Sequence, residues 1–353
     1  MTIHVSSPKS CLFNAVLVPS FACLSVLFPA PANADMVSDG SDGPFHPLQN
    51  TVIDLAGQNV FNFTTITIPD GVKVSFINTI GSVPVYFLAT DDIVIDGTLD
   101  ASGGSSAGPG GYVGGLGGLD GAPGQPGFGP GGGYGGIYRH PGGGSSFATT
   151  GTETKIDGCL SEILPPAPPV PYEQDLFEGG SGGGGGGGGA YGVDGCKGGS
   201  GGGAVYLSTP WTISIEGNVY ARGANGVNCY TSALCGIRGG PGGGGSGGMI
   251  RLSADTIILE PDGVLNCIGG KGGVRSLDAT LTPYGGNGGY GYIAIKAPHL
   301  DLSGDILGAL ILNDCVVDFD NDADIDGVDA SRMAANLDSV CLNYFAESFG
   351  RLY

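Results

Sequence analysis

The chain has 353 residues, of which 72 are glycine, 13 are Lys or Arg and 33 are Asp or Glu, for a formal net charge of −20. Such a field repels phosphate backbones and anionic lipid, which excludes nucleic acid as a natural partner and favours divalent cations. Charged residues are nevertheless only 13% of the chain and no Gly-X-Y period runs through it, so it is neither an acidic disordered tail nor a collagen.

Residues 1–34 read as a secretory signal peptide. Lys9 is the only charged side chain there, and an apolar stretch runs from Cys11 to Ala30. Ala32-Asn33-Ala34 supplies the small-x-small cleavage pattern that would leave Asp35 as the new N-terminus. Asn14 and Pro19 interrupt the apolar stretch and count against a retained membrane anchor. Ser20-Phe21-Ala22 ahead of Cys23 lacks the leucine of a lipoprotein site. No later segment is long and apolar enough to span a bilayer, so the expected location is secreted or cell-surface. The cysteines left after cleavage are Cys159, Cys196, Cys229, Cys235, Cys267, Cys315 and Cys341. An oxidising compartment favours disulfides among them, with one left over. Cys229 and Cys235 are near enough in sequence to close a small loop.

From residue 50 to 310 one phrase recurs: a short apolar strand, a polar break, an alternating strand, then glycine. After a first strand pair at 65–68 and 72–76, its copies begin at Val85, Ala204, Met249 and Tyr292. Each copy continues into a pattern such as Ile93-Val94-Ile95-Asp96-Gly97-Thr98-Leu99-Asp100-Ala101. This is a period of two, in which alternate side chains enter a core. Aligning Leu88, Leu207, Leu252 and Ile295 makes the last spacings nearly regular, as expected of stacked rungs. The expected fold is mostly β, a glycine-rich right-handed parallel β-helix or related β-solenoid over 35–310, with a Gly/Pro-rich insertion at about 103–203. A β-sandwich with glycine-rich hairpins is the alternative.

Glycine tracts fall between the strands at 103–118, 126–145, 179–203, 239–248 and 269–289. Gly182 to Gly189 is an unbroken run of glycine, which loses the most backbone entropy if ordered. Two readings stay open: flexible surface loops, or packed extended segments in which only a hydrogen side chain permits close backbone approach. Tyr112, Tyr134, Tyr191, Tyr284 and Tyr290 within the tracts favour partial packing. Residues 165–171 are proline-rich and read as an extended exposed segment.

Catalytic signals are sparse. Of the histidines left after cleavage, His46, His140 and His299, none sits in a Ser/His/Asp pattern, and no Gly-rich string ends in the Lys-Ser/Thr of a phosphate-binding loop. Asp91, Asp92, Asp96 and Asp100 are the carboxylates a β-helix enzyme would use, but they read as solvated turn residues without a recurring basic partner.

The chemically specific motif lies at the C-terminus, from Asp318 to Asp329. Calcium takes six to eight oxygen ligands, which a twelve-residue loop delivers from positions 1, 3, 5, 7, 9 and 12. Those positions are Asp318, Asp320, Asp322, Asp324, Asp326 and Asp329, with the apolar Ile325 at position 8 and a helix-compatible run after it. The stretch from Cys315 to about Phe345 resembles the calcium-binding repeat of dockerins and related single EF-hand-like modules. That resemblance implies side-chain ligation by Asp318, Asp320, Asp322 and Asp329, the backbone carbonyl of Asp324, and Asp326 directly or through water. Ala323 replaces the usual glycine at position 6, and the second repeat of dockerins is absent. Calcium binding is therefore expected with more force than binding to a cohesin-like partner. Cys315 and Cys341 bracket loop and helix and suggest a disulfide that staples a small module over 311–353.

The whole reads as a secreted or cell-surface, non-enzymatic structural or adhesive protein. The body is similar to glycine-rich repeat proteins of bacterial cell surfaces. Its glycine/tyrosine segments are the expected contact surface for carbohydrate or a cell-envelope component. A carbohydrate-active β-helix enzyme and a dockerin-like assembly component are the alternatives.

Overall fold

Wherever the sequence repeats its period-two phrase, strands form and stack. The computed structural model describes residues 36–316 except 57, 78–82, 156–162, 174–176, 230–238, 276–283 and 313–314, and every regular element among them is a strand. The signal segment and most of the expected C-terminal module, including the aspartate loop, lie outside the described residues. In chain order the strands are β1 (Gly43–Phe45), β2 (Thr51–Asp54), β3 (Val60–Ile68), β4 (Lys73–Ile77), β5 (Val85–Ala89), β6 (Ile93–Ile95), β7 (Thr98–Asp100), β8 (Ala204–Ser208) and β9 (Thr212–Ile215). They continue as β10 (Asn218–Tyr220), β11 (Met249–Ser253), β12 (Thr256–Leu259), β13 (Val264–Asn266), β14 (Tyr292–Lys296), β15 (His299–Leu302), β16 (Asp305–Leu307), β17 (Ala309–Leu312) and β18 (Cys315–Val316).

Three ladders result. The first runs from the front half of β3 through β5, β8, β11, β14 and β17, and the second from the back half of β3 through β6, β9, β12 and β15. The third joins β2, β4, β7, β10, β13 and β16. All these pairings are parallel, and β18 adds one antiparallel pairing onto β17. The chain visits the three ladders in turn, one coil at a time, which is a β-solenoid. The antiparallel pairing of a sandwich is absent from these ladders.

The alternation explains the core. Ile66, Ile93, Ile213 and Ile257 lie side by side in successive coils and are fully buried, as are Leu99, Val219, Leu265 and Ile306 on the third face. Each such side chain contributes about 1.5–3 kcal/mol by leaving water. Phe87 closes the N-terminal end of the core against Phe45, Phe61, Phe63 and Phe76, with ring centroids 5.4–5.7 Å away. The ladder corrects one alignment. Phe87, not Leu88, pairs with Leu207, and Leu88 stands beside Ser208. That one-residue shift turns Phe87 into the core and Leu88 to the other side of the strand.

The connections from the third face back to the first carry the glycine tracts: 101–203, 221–248 and 267–291. Their described glycine-rich parts are packed segments rather than loose loops. Ala221, Gly223, Gly226 and Cys229 donate N–H bonds to the carbonyls of Asn266, Ile268, Lys271 and Val274. The parallel ladder thus runs on into the tracts, but its hydrogen-bond period changes from two to three. Three residues per turn without internal hydrogen bonds is the geometry of polyproline II. Successive rods of this kind occupy 111–119, 122–128, 132–137, 140–146, 179–189, 193–203, 221–229, 239–248, 267–274 and 284–291, and we number them 1 to 10.

Rod 5, which holds the glycine run, is the axis of the bundle. Its N–H groups at 180, 183 and 186 donate to rod 6 at Gly202, Gly199 and Cys196. Those at 182, 185 and 188 donate to rod 2 at Phe128, Gln125 and Ala122, and those at 184 and 187 to rod 4 at Gly143 and His140. Its carbonyls accept from Tyr112, Gly115 and Gly118 of rod 1, from Gly133 and Gly136 of rod 3, and from Ser246, Gly243 and Gly240 of rod 8. Six rods therefore surround it. The N–H of Ser181 donates to Ser246 Oγ, and the Gly188 carbonyl accepts from Arg139, so no peptide group from 180 to 188 lacks a partner.

A Cβ on Gly185 would collide with the backbone of Leu116, whereas one on Gly104, at the start of the same connection, would meet nothing. Gly185→Ala is expected to lower the urea unfolding midpoint by the equivalent of about 3 kcal/mol, and Gly104→Ala to change stability by less than about 0.5 kcal/mol. Equal midpoints for the two variants would contradict the bundle.

Candidate functional site

A three-residue period sorts side chains as surely as a strand does. In the rods at the edge of the bundle, the glycines of Gly-Gly-X face neighbouring rods and X faces out, whereas in rods 5, 6 and 8 the X serines Ser181, Ser200 and Ser246 are buried. In rod 1 these outward residues are Val113, Leu116 and Leu119; in rod 3 they are Tyr134 and Ile137; all are exposed, as is Phe128 at the end of rod 2. Rods 1, 2 and 3 are consecutive around rod 5, since Gln125 donates to the Leu116 carbonyl and Gly124 to the Gly136 carbonyl. Their outer side is a free surface set with apolar and aromatic side chains on a backbone fixed by hydrogen bonds.

One end of this surface carries the sharpest backbone signal. Rods 1 and 2, 3 and 4, and 5 and 6 are joined by tight turns closed by Ala122 to Leu119, His140 to Ile137, and Gly189 to Val193 hydrogen bonds. The three turns meet, because the Arg139 N–H reaches the Gly188 carbonyl and the Gly188 N–H reaches the Ala122 carbonyl. Each turn holds one non-glycine residue at positive φ: Asp120 at 35°, Arg139 at 63° and Tyr191 at 58°. Among the described residues these are the non-glycine residues with positive φ. A left-handed conformation costs a residue with a Cβ about 1–2 kcal/mol, which glycine avoids. In a chain so rich in glycine, keeping side chains at these positions points to a use for them. Asp120 has a local role, accepting from the Gly192 N–H at 2.7 Å. Arg139 lies over the Tyr138 ring, 4.2 Å from its centroid. Tyr191 stands free at 87% exposure, with Leu119 at 67% nearby in the chain's layout. We call this end the tip. The sequence signal for it was the local Gly-Gly-X repeat, obscured by runs in which X is itself glycine.

The outer side of the first ladder, by contrast, is covered. Tyr86, Tyr206 and Tyr292 pack under Phe147, Tyr172 and Phe177 of the segment that links rods 4 and 5. The proline-rich stretch within it is exposed at Pro165, Pro168, Pro169 and Pro171, while Ala167 is buried. Burial and the Glu178 carboxylate, which accepts a 2.9 Å hydrogen bond from Tyr112, push the Tyr112 phenol up to about 12. Burial raises Tyr292 likewise, to about 12.

The candidate carboxylates are not brought together as a catalytic pair. Asp91 and Asp92 lie in the break between β5 and β6, where the Asp91 carbonyl accepts from Thr209 and Asp92 Oδ1 from the Thr212 N–H. Asp100 does have a basic partner, Lys73, at 2.6 Å across the neighbouring coil. Burial alone would raise the Asp100 carboxyl, but hydrogen bonds from Lys73 and Ser102 outweigh it and hold the group below its ordinary value. His46 and His299 are exposed, whereas His140 is buried in the turn between rods 3 and 4, its Nδ1 2.8 Å from the Tyr138 carbonyl.

Cysteine pairing differs from the short loop that sequence spacing offered. Cys229 bonds Cys196, linking rods 7 and 6, so a Cys229–Cys235 closure is not made. Cys315 is in β18, whereas Cys341 and all six aspartate ligands lie outside the described residues. Cys267 is a buried free thiol, and burial raises its pKa far above the ordinary range. Among the described residues no group of three or more His, Cys, Asp or Glu side chains is placed to hold a metal, and no helix is long and apolar enough to cross a membrane. Comparison with family models, curated proteins and solved structures finds no match for this chain.

The Cys196–Cys229 bond closes a loop of sequence separation 33, so replacing both by serine is expected to cost about 3–4 kcal/mol by loop-closure entropy. Thermal unfolding of the wild type should fall to that of the double variant on reduction. Unchanged unfolding under reduction would contradict the link. Cys267 should resist thiol reagents until the chain unfolds.

Proposed function

We propose that this is an exported, non-enzymatic binding protein in which the glycine bundle presents its tip and outer rows to carbohydrate or another cell-envelope component. The observation that carries the proposal is the retention of Asp120, Arg139 and Tyr191 at positive φ in one cluster of turns. Exposed apolar rows mark interaction surfaces, and a rigid scaffold reduces the ordering entropy lost on binding. The Cys196–Cys229 disulfide supports export, because such bonds persist in oxidising compartments.

The C-terminal aspartate loop is the second part of the proposal. A donor set of the carboxylates of Asp318, Asp320, Asp322, Asp326 and Asp329 with the backbone carbonyl of Asp324 fits a hard cation such as calcium. Calcium would neutralise their mutual repulsion and steady the C-terminal module rather than take part in chemistry.

Two measurements test these readings. Tyr191→Gly should raise stability by up to about 1 kcal/mol while weakening retention on envelope preparations or immobilised polysaccharides at least about fivefold. Undiminished retention would overturn the role of the tip. Calcium titration calorimetry on the full chain should give a site that Asp318→Ala and Asp329→Ala both weaken and that fades below about pH 4–5 as carboxylates protonate. No binding at millimolar calcium would remove the loop from the account.

A further inference from the structure

Away from the tip, rods 9 and 10 and residues 149–152 enclose a groove of about 350 Å3. Its floor is glycine backbone, Gly269, Gly270, Gly288 and Gly289, and its side chains include Thr149, Thr152, Lys271, Asn287 and Tyr290. Residues 149–152 lie along rod 10 at the same three-residue period: Thr152 N–H donates to the Asn287 carbonyl, and Thr149 N–H to that of Tyr290.

The polar atoms of this groove are sorted by what the backbone already uses. Thr149 Oγ1 accepts from the Tyr290 N–H at 2.8 Å, and Thr152 Oγ1 accepts from the Asn287 N–H at 2.9 Å. Asn287 Oδ1 accepts from the Gly272 N–H at 2.8 Å. One acceptor site on each of these three oxygens is thus committed to the fold, while every donor stays available: two threonine hydroxyl protons, the Asn287 amide Nδ2, the Lys271 ammonium and the Tyr290 hydroxyl. Among the described residues no Asp or Glu lines the groove, in a chain of net charge −20. At physiological salt, acidic groups beyond about 8 Å are screened; the exposed Glu153 follows Thr152 in the chain, and Lys271 is the charged side chain that lines the groove itself.

We propose that this groove binds an acceptor-rich, carboxylate-bearing saccharide. The carboxylate would meet Lys271 in a charge-assisted hydrogen bond, and ring and hydroxyl oxygens would take the Thr, Asn and Tyr donors. Repetition favours a chain over a small anion. The donor pairs Thr149/Thr152 and Asn287/Tyr290 are each three residues apart, about 9 Å along a polyproline II rod. The flat glycine floor lets an extended ligand lie across both. The site deepens the binding reading above but does not use the tip.

The test is calorimetric titration of the full chain with oligogalacturonate, beside the galacturonate monomer and an uncharged malto-oligosaccharide. Oligogalacturonate should bind more tightly than either control. Lys271→Gln should weaken it about tenfold and Tyr290→Phe a few-fold, the size expected of one charge-assisted and one neutral hydrogen bond. Both side chains are exposed, so unfolding midpoints should hold, and Lys296→Gln at the end of β14 should bind as wild type. Absence of binding, equal affinity for monomer and oligomer, or equal weakening by Lys296→Gln would each overturn the site. Tyr191→Gly should leave this affinity intact, which separates failure of the groove from failure of the tip.

Discussion

Close approach of bare backbones is the constraint on which this molecule depends. Rod 5 is enclosed by six other rods, and from Gly182 to Gly188 an added Cβ would meet neighbouring main chain inside contact distance. Any side chain there is excluded by geometry rather than by polarity. The hydrophobic effect cannot organise such a region, because glycine has no apolar side chain to bury. What remains is a complete set of peptide hydrogen bonds and the dispersion of tightly packed main chain.

Those forces are weak for each residue. A buried peptide hydrogen bond contributes about 1 kcal/mol net, while fixing a residue's backbone costs about 1–2 kcal/mol, most for glycine. A bundle of this kind therefore leans on a neighbour with an ordinary core. The solenoid supplies it. Rods 6, 8 and 10 lead directly into β8, β11 and β14, and rods 7 and 9 continue β10 and β13 with their parallel register intact. The columns of Ile and Leu inside the coils set where each rod starts, and the Cys196–Cys229 bond ties rod 6 to rod 7. In return the bundle offers a rigid surface whose exposed residues are dictated by a three-residue rhythm.

Much of the solenoid was legible because period-two alternation is a local signal. The strands beginning at Val85, Ala204, Met249 and Tyr292 fall where the repeated phrase placed them, and the two strands leading into the first copy are there too. Register was harder. Leu88 resembles Leu207 chemically, yet Phe87 is the residue whose side chain the column of Leu207 and Leu252 continues. For the glycine tracts the sequence left two states open, and among the described residues the packed one is found. Nothing local distinguishes them, because the partners of Gly185 are Gln125, Leu116 and Gly136, all tens of residues away. The tip was hidden for the same reason: Asp120, Arg139 and Tyr191 come together through the bundle and not through any motif. The aspartate loop is the reverse case, legible in sequence as ligand spacing and outside the described residues.

The most direct test is hydrogen exchange across residues 180–188, followed by peptide-resolved mass spectrometry of the full chain in native buffer. If the glycine run is the bundle's axis, its amides should exchange as slowly as those of β8 and β11, through global unfolding rather than local fraying. Exchange near the rate of an unstructured peptide, with β8 and β11 still protected, would contradict the account.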